Sequence, residues 1–428
     1  MSNLQVDSIT PEDNVAAPVF APHAPIILHP LVIYSVVWIG VVCLYSLHFS
    51  YILRYPTSDA IKVVLKIWLP FAATVCIYSL LHIFSNGIST KRRVPWNLDL
   101  DVLRRRLRFC FKVWALMSMF EVIVSGGVPL LWALTGSSKS YTDFGIPSLN
   151  GLINSLILSI SISYFLLFIV TKNRRDVAIP ILVLCWSVVI INRNMMLVTL
   201  IEFAVIYVRI RKIRFATFVR LGSGILAFVL AFGVIGDIRQ GASGMIRDLA
   251  QPTDDYPMWL PSGVLWAYIY ITTPVNNLIY NMEEIPPENN ALFPSTVATL
   301  FPSVIRVVIY GNEVGDAESG QLVVSAFNVS TAYVGPYSDY GIVGITLFSI
   351  MIACICQFFW FRESLRGILM FAVVTQCLAI TLFFDHFFYL PVITQLGWLW
   401  LFFSPRAASL CLPRAWKKRR HLLLSNVS

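Results

Sequence analysis

The stretch VAIPILVLCWSVVIINRNMMLVTLIEFAVIYV, residues 177–208, is apolar on both sides of Asn192, Arg193 and Asn194. It lies between two basic segments, Lys172, Arg174 and Arg175 before it and Arg209, Arg211, Lys212 and Arg214 after it. Basic loops of a membrane protein stay on the cytoplasmic side, so a chain that begins and ends this stretch there crosses an even number of times. The length suffices for two helices of about 15 residues, each about 22 Å long, against a hydrocarbon core of about 30 Å. The stretch therefore reads as a short helical hairpin whose tip does not emerge fully, with Arg193 recessed beneath the outer surface in a cavity rather than in lipid. A charge at that depth costs about 2.5–3.5 kcal/mol on insertion scales and marks function by default. The plain alternative is an arginine that snorkels to the interface from an ordinary loop.

The rest of the composition agrees with a bilayer. Of 428 residues, 57% are hydrophobic and 13% charged, about half the charge of a soluble domain at about 25%. The eight cysteines lie almost entirely in apolar runs, where they read as small hydrophobes rather than a disulfide framework. A net charge of +9 would suggest nucleic acid in a soluble protein, but here the distribution of charge decides, and nucleic acid is excluded as a partner. Basic clusters at 91–108, 172–175, 209–214 and 414–420 read as cytoplasmic, whereas residues 236–340 hold three arginines against eleven carboxylates and read as external.

Runs long enough to span occupy roughly 29–50, 63–85, 109–134, 150–170, 216–235, 341–361, 367–384 and 387–404, at about 20 residues each. The expected fold is all-α, a polytopic membrane protein of about 10 to 12 transmembrane helices with one large external loop. Residues 1–28 read as a disordered cytoplasmic tail, 29–404 as a single transmembrane domain and 405–428 as a basic cytoplasmic tail. Within the external loop, 262–281 and 294–310 are apolar enough for surface-lying or re-entrant helices, or for two further crossings.

Motifs of soluble enzymes are missing. Gly136-Ser137-Ser138-Lys139-Ser140 lacks the second glycine and the preceding strand of a phosphate-binding loop, and there is no HExxH helix. Asp99-Leu100-Asp101 matches an acidic metal-holding pair but sits among basic residues on the cytoplasmic side, which favours a solubilising role. The scattered His23, His29, His48, His82 and His421 suggest no metal site, and neither metal nor cofactor is expected. A diphosphate near the outer leaflet could be held by Arg193 with Arg239, Arg247 and Arg306, because guanidinium makes planar bidentate contacts to phosphate oxygens. Ion pairs such as Arg239 with Asp237 and Arg247 with Asp248 are the competing reading. Asp237 and His386 are the candidate general bases, with Asp237 placed ahead. Glu121 and Glu202, inside apolar runs, are as well explained by pairing with basic residues in the bundle.

GGVPLL at 126–131, YTDFGIPSLNGLINSL at 141–156, NRNMMLVTLI at 192–201, ITTPVNNL at 271–278 and STAYVGPYSDYGIVG at 330–344 resemble segments of bacterial oligosaccharide repeat-unit polymerases of the O-antigen and capsule type. In this reading Gly126, Gly127 and Pro129 end a helix, and Gly145 and Pro147 turn the chain into the fourth span. The resemblance implies an inverting, metal-independent, GT-C-like glycosyltransferase of the Gram-negative inner membrane, with both termini cytoplasmic. Its substrate would be undecaprenyl-diphosphate-linked oligosaccharide, with a chain-length regulator protein as a further partner. The alternatives are an O-antigen ligase, for which a histidine would be expected in the external loop although 236–340 has none, and a polytopic glycan or lipid transporter.

Overall fold

The spanning runs become helices throughout the described part of the chain, because an apolar segment in lipid can satisfy its backbone only internally. The computed structural model describes residues 25–86, 100–211, 223, 245–257, 259–260, 262–290, 292–311, 320–324, 327 and 329–404. The expected tails, apart from a 3-10 turn at Ile26–Leu28, and the expected span at 216–235, apart from residue 223, lie outside these residues.

In chain order the helices are α1 (Pro30–Tyr45), α2 (Thr57–Asn86), α3 (Leu100–Ser125), α4 (Pro129–Thr135), α5 (Leu149–Thr171), α6 (Ala178–Val189), α7 (Arg193–Ile210), α8 (Met245–Ala250) and α9 (Ser262–Glu284). They continue with α10 (Pro294–Val297), α11 (Ser303–Tyr310), α12 (Val334–Trp360), α13 (Leu365–Ile380) and α14 (Leu390–Phe402). No strand occurs among the described residues beyond one isolated bridge between Ser50 and Pro252. Four helical segments, Thr57–Ser85, Leu100–Thr135, Leu149–Thr171 and Val334–Trp360, are long and apolar enough to cross a membrane, and α1, α13 and α14 are shorter apolar helices. The protein is an all-helical, membrane-embedded bundle.

Two hydrophobic clusters build it. One gathers α1, α2, α9, α12 and α13, with α12 lying along α2; the other gathers α3, α5, α6, α7 and α14, with α14 lying along α5. Helix α13 packs on α7 and joins them. The centre is α5, 78% buried along its spanning window against 28% for α3. Ser155, Ser159 and Ser163 recur every fourth residue on α5, all fully buried, and small residues in that pattern let a neighbouring backbone come close. Ser159 Oγ accordingly reaches Gln395 O at 3.2 Å, and Thr394 Oγ1 donates to Ser155 Oγ at 2.9 Å.

The bundle has a basic end. Arg104 donates to Asp176 at 2.8 Å and to Thr171 at 3.3 Å, while Arg106 reaches Phe402 O at 2.7 Å and Ser404 O at 3.0 Å. Arg209 reaches Trp360 O at 3.0 Å and Arg211 reaches Ile169 O at 2.9 Å. Arg106, Arg209 and Arg211 satisfy carbonyls at the C-terminal ends of α14, α12 and α5, where the helix dipole also favours a cation. The starts of α5, α7 and α14 consequently share the opposite end.

The hairpin forms, with helices of 12 and 18 residues. Its turn is closed by Asn192 N donating to Ser187 O at 2.8 Å, with Ile191 in the left-handed region at φ 53°. A β-branched residue held there costs about 1–3 kcal/mol. Asn192 then caps α7, its Oδ1 accepting from Met195 N at 2.9 Å.

Elsewhere the structure corrects the reading. Residues 262–281 are not a surface helix: α9 is largely buried, and its Asn276, Asn277 and Asn281 clamp neighbouring backbone, for example Asn277 Nδ2 to Val329 O at 3.0 Å and Asn281 Nδ2 to Gln321 O at 2.7 Å. Residues 294–310 form only short helices, of which α11 shows the surface-lying character, with Val304 and Val308 strongly exposed. The span expected from 341 starts at Val334 and breaks at Tyr340 and Gly341, whose φ of 59° and ψ of −139° suit glycine alone. Asp339, just before the break, is fully buried and caps α10 through Ser295 N at 3.0 Å and Thr296 N at 2.9 Å.

Candidate functional site

Opposite the basic end, the starts of α5, α7 and α14, the end of α13 and the loops at 142–148 and 299–306 enclose a cavity of about 450 Å³, within the about 300–1,000 Å³ usual for ligand sites. A second cavity of about 210 Å³ adjoins it, and Asn194, Thr299, His386 and Tyr389 line both.

The floor of the loop at 142–148 is fixed from below. Glu121 accepts from Ile146 N and Asn150 Nδ2, each at 3.2 Å, and Ser125 Oγ accepts from Gly145 N at 2.9 Å. Glu121 therefore serves loop backbone rather than a basic residue, and this corrects the expectation of an ion pair. Gly126 and Gly127, at φ 73° and 135°, end α3 through Gly127 N donating to Val122 O at 2.9 Å, and Pro129 opens α4. These three shape the approach and do not line the cavities, whereas Gly145 and Pro147 line the larger one.

Beneath the larger cavity, Gln395 Nε2 donates to Glu202 Oε1 at 2.8 Å. Glu202 is fully buried and has no ion pair among the described residues, again in place of the basic partner expected for it.

His386 sits on the wall common to both cavities. Its Nδ1 lies 3.2 Å from Gln376 Oε1, which can only accept, so Nδ1 carries the proton and Nε2 presents its lone pair. Nε2 faces Asn194 Nδ2 at 3.4 Å, and Asn194 Oδ1 has no hydrogen-bond partner among the described residues. Phe384 and Tyr389 stack on either side of the imidazole, with centroids 5.7 and 5.5 Å away. Burial pushes the His386 pKa down to about 4, so the ring is neutral at pH 7 with the Nε2 lone pair toward Asn194.

The structure thus brings together His386, Arg306, Gly145 and Pro147. Arg193 starts α7 but is exposed; its neighbours Asn192 and Asn194 line the larger cavity where the guanidinium was expected. The reason is helical direction: one residue's advance along the first turn rotates the side chain by about 100°. Asp237 and Arg239 lie outside the described residues, and of Arg247 only the backbone, within α8, is described. The reading missed Gln376, Gln395, Asn150 and Asn154, all cavity-lining; amides inside apolar runs are the signal that would have found them.

Arg306 is the only charged side chain lining the larger cavity and Asp385 the only acidic or basic one lining the smaller besides His386, among the described residues. The larger cavity therefore carries one guanidinium among the described residues, and His386 faces both cavities. No group of His, Cys, Asp and Glu suited to a metal ion occurs among the described residues. Compared with known proteins, the chain matches no family model, no curated protein and no solved structure.

Proposed function

We propose that the protein polymerises undecaprenyl-diphosphate-linked oligosaccharide repeat units by inverting glycosyl transfer on the periplasmic face of the inner membrane, with about 10 to 12 crossings and both termini cytoplasmic. The observation that carries the reading is the neutral imidazole of His386 sharing a cavity with the guanidinium of Arg306. In the reaction, His386 Nε2 takes the proton of an acceptor sugar hydroxyl as that oxygen bonds to the donor's anomeric carbon. The bond from that carbon to the lipid diphosphate breaks, and Arg306 stabilises the negative charge left on the diphosphate. The donor is already activated, which agrees with a sequence lacking a nucleotide-binding loop. His386 takes precedence over Asp237 as base because it lines the cavity that Arg306 lines.

Convergence of the basic clusters at one end and of the cavities at the other supports the orientation. Deletion of the gene followed by gel analysis of surface glycan tests the reading. The expected result is a single repeat unit on the acceptor. Long lipid-linked chains would instead identify a ligase, and repeats trapped in the cytoplasmic leaflet a transporter.

A further inference from the structure

We infer that the smaller cavity is the subsite for the acceptor's sugar ring, an inference that rests on the transferase reading above. Its walls are made of hydroxyls, an amide, a carboxylate and aromatic rings: Ser330, Thr331, Asn194 and Asp385 with Phe384 and Tyr389, and no lysine or arginine among the described residues lines it.

Most of the polar atoms present lone pairs, and Ser330 and Thr331 also keep a proton to donate. Thr299 Oγ1 spends its proton on Phe388 O at 2.6 Å, Thr296 Oγ1 spends its own on Asp339 at 2.5 Å, and Thr331 Oγ1 takes a bond from Tyr333 N at 3.2 Å. Thr299 and Thr296 have only lone pairs left, whereas Thr331 keeps its own proton to donate. Asn194 Oδ1 and Ser330 Oγ have no hydrogen-bond partner among the described residues, and Ser330 is only 4% exposed. Burying such groups unpaired costs about 1–3 kcal/mol each, so a ligand rich in hydroxyl donors is the chemistry that satisfies them. A pyranose offers hydroxyls around its rim and apolar C–H faces to aromatic rings. At about 210 Å³ the cavity falls below the about 300 Å³ of a typical ligand pocket, and so takes one ring and not an oligosaccharide. Its junction with the larger cavity is His386, which puts the acceptor hydroxyl on the imidazole and the diphosphate on the side of Arg306.

Saturation-transfer NMR on the detergent-solubilised full chain, with methyl glycosides of glucose, galactose, mannose, rhamnose and N-acetylglucosamine as probes, reads the subsite without activity. At least one glycoside is expected to receive saturation, to bind at least tenfold more weakly to Ser330→Val and to Asp385→Asn, and to bind normally to Arg306→Ala. Asp385→Asn keeps the side chain's shape, so it reports even if Ser330→Val folds poorly. Absence of saturation with every glycoside, or binding unchanged in both cavity variants, overturns the subsite while a single-repeat deletion phenotype leaves the transferase reading standing. Glycoside binding combined with normal glycan length after gene deletion overturns the acceptor role and the transferase reading together.

Discussion

Asn194 Nδ2 lies 3.4 Å from His386 Nε2, and this contact joins the tip of the α6–α7 hairpin to the loop between α13 and α14. Two segments 192 residues apart thus set the direction of one imidazole. From the other side Gln376 holds Nδ1, so the ring has a fixed tautomer with its basic nitrogen toward the cavities. The strained turn at Ile191 is the cost of placing that amide.

Protonation of His386 couples the site to folding. In the unfolded chain histidine titrates near 6.5, whereas burial holds the folded value at about 4. Between those values the unfolded state binds more protons, so stability rises with pH through the window and is fully present above it. The contribution lost by pH 4 is about 3 kcal/mol. Thermal unfolding in detergent is expected to show a lower melting temperature at pH 4.5 than at pH 7, with the gap narrowed in His386→Gln. Chain extension should stay constant from pH 8 down to about pH 5, and should be lost in His386→Gln; a fall in rate centred near 6.5 would remove His386 as the base.

Glu202 gives a second test, on packing. Glu202→Gln keeps an oxygen for Gln395 to donate to, and the expected change in stability is under about 1 kcal/mol. Glu202→Ala removes both the acceptor and the volume at a fully buried position, for an expected loss of about 2–4 kcal/mol. Denaturation of the two variants side by side checks this; equal losses would mean that the carboxylate itself, and not its shape and acceptor, is required.

The hairpin was legible because its logic is topological: two basic loops and a fixed length leave few paths. Helix positions were legible for the reason that lipid enforces them. What the sequence did not disclose was pairing. A glutamate in an apolar run suggests a cation, yet Glu121 is satisfied by Ile146 N and Asn150, which become its neighbours only after the chain turns at Gly145. Likewise ITTPVNNL falls in a segment expected as a surface-lying or re-entrant helix or a further crossing, and nothing in it announced that its asparagines would clamp buried backbone from within α9. Ser330 and Thr331 stood inside a recognised motif, but their joint exposure to a cavity depends on the break at Gly341 and on the distant loop carrying Asp385. Side-chain direction at Arg193 was beyond reach for a similar reason, since one residue's shift exchanges guanidinium for amide.

Arginine chemistry separates the proposed roles. Arg306→Ala is expected to lower chain extension by at least 100-fold, about 3 kcal/mol of lost charge stabilisation, and Arg306→Lys to remain impaired because an ammonium lacks the bidentate fork. Arg193→Ala, at an exposed position that lines neither cavity, is expected to leave chain extension near the wild-type level. Glycan gels and immunoblots of membrane fractions measure both. Loss of long-chain glycan in Arg193→Ala would bring that residue into the mechanism beside Arg306.

Backbone approach at the break in α12 makes the sharpest stability prediction. A Cβ at Gly344 would lie 1.9 Å from Pro336 O, backbone against backbone, whereas at Gly397 on α14 nothing lies within 4 Å of one. The two halves of α12 can fold back at Gly341 only because residue 344 has no side chain, and the walls of the smaller cavity at Gly335 and Pro336 belong to the first half. Gly344→Ala should therefore cost more than about 3 kcal/mol, and Gly397→Ala should be neutral or stabilise by up to about 1 kcal/mol through helix propensity. Melting temperatures of the purified variants give the answer. If Gly344→Ala melts like the parent chain, the two halves of α12 do not meet as described, and the smaller cavity loses one of its walls.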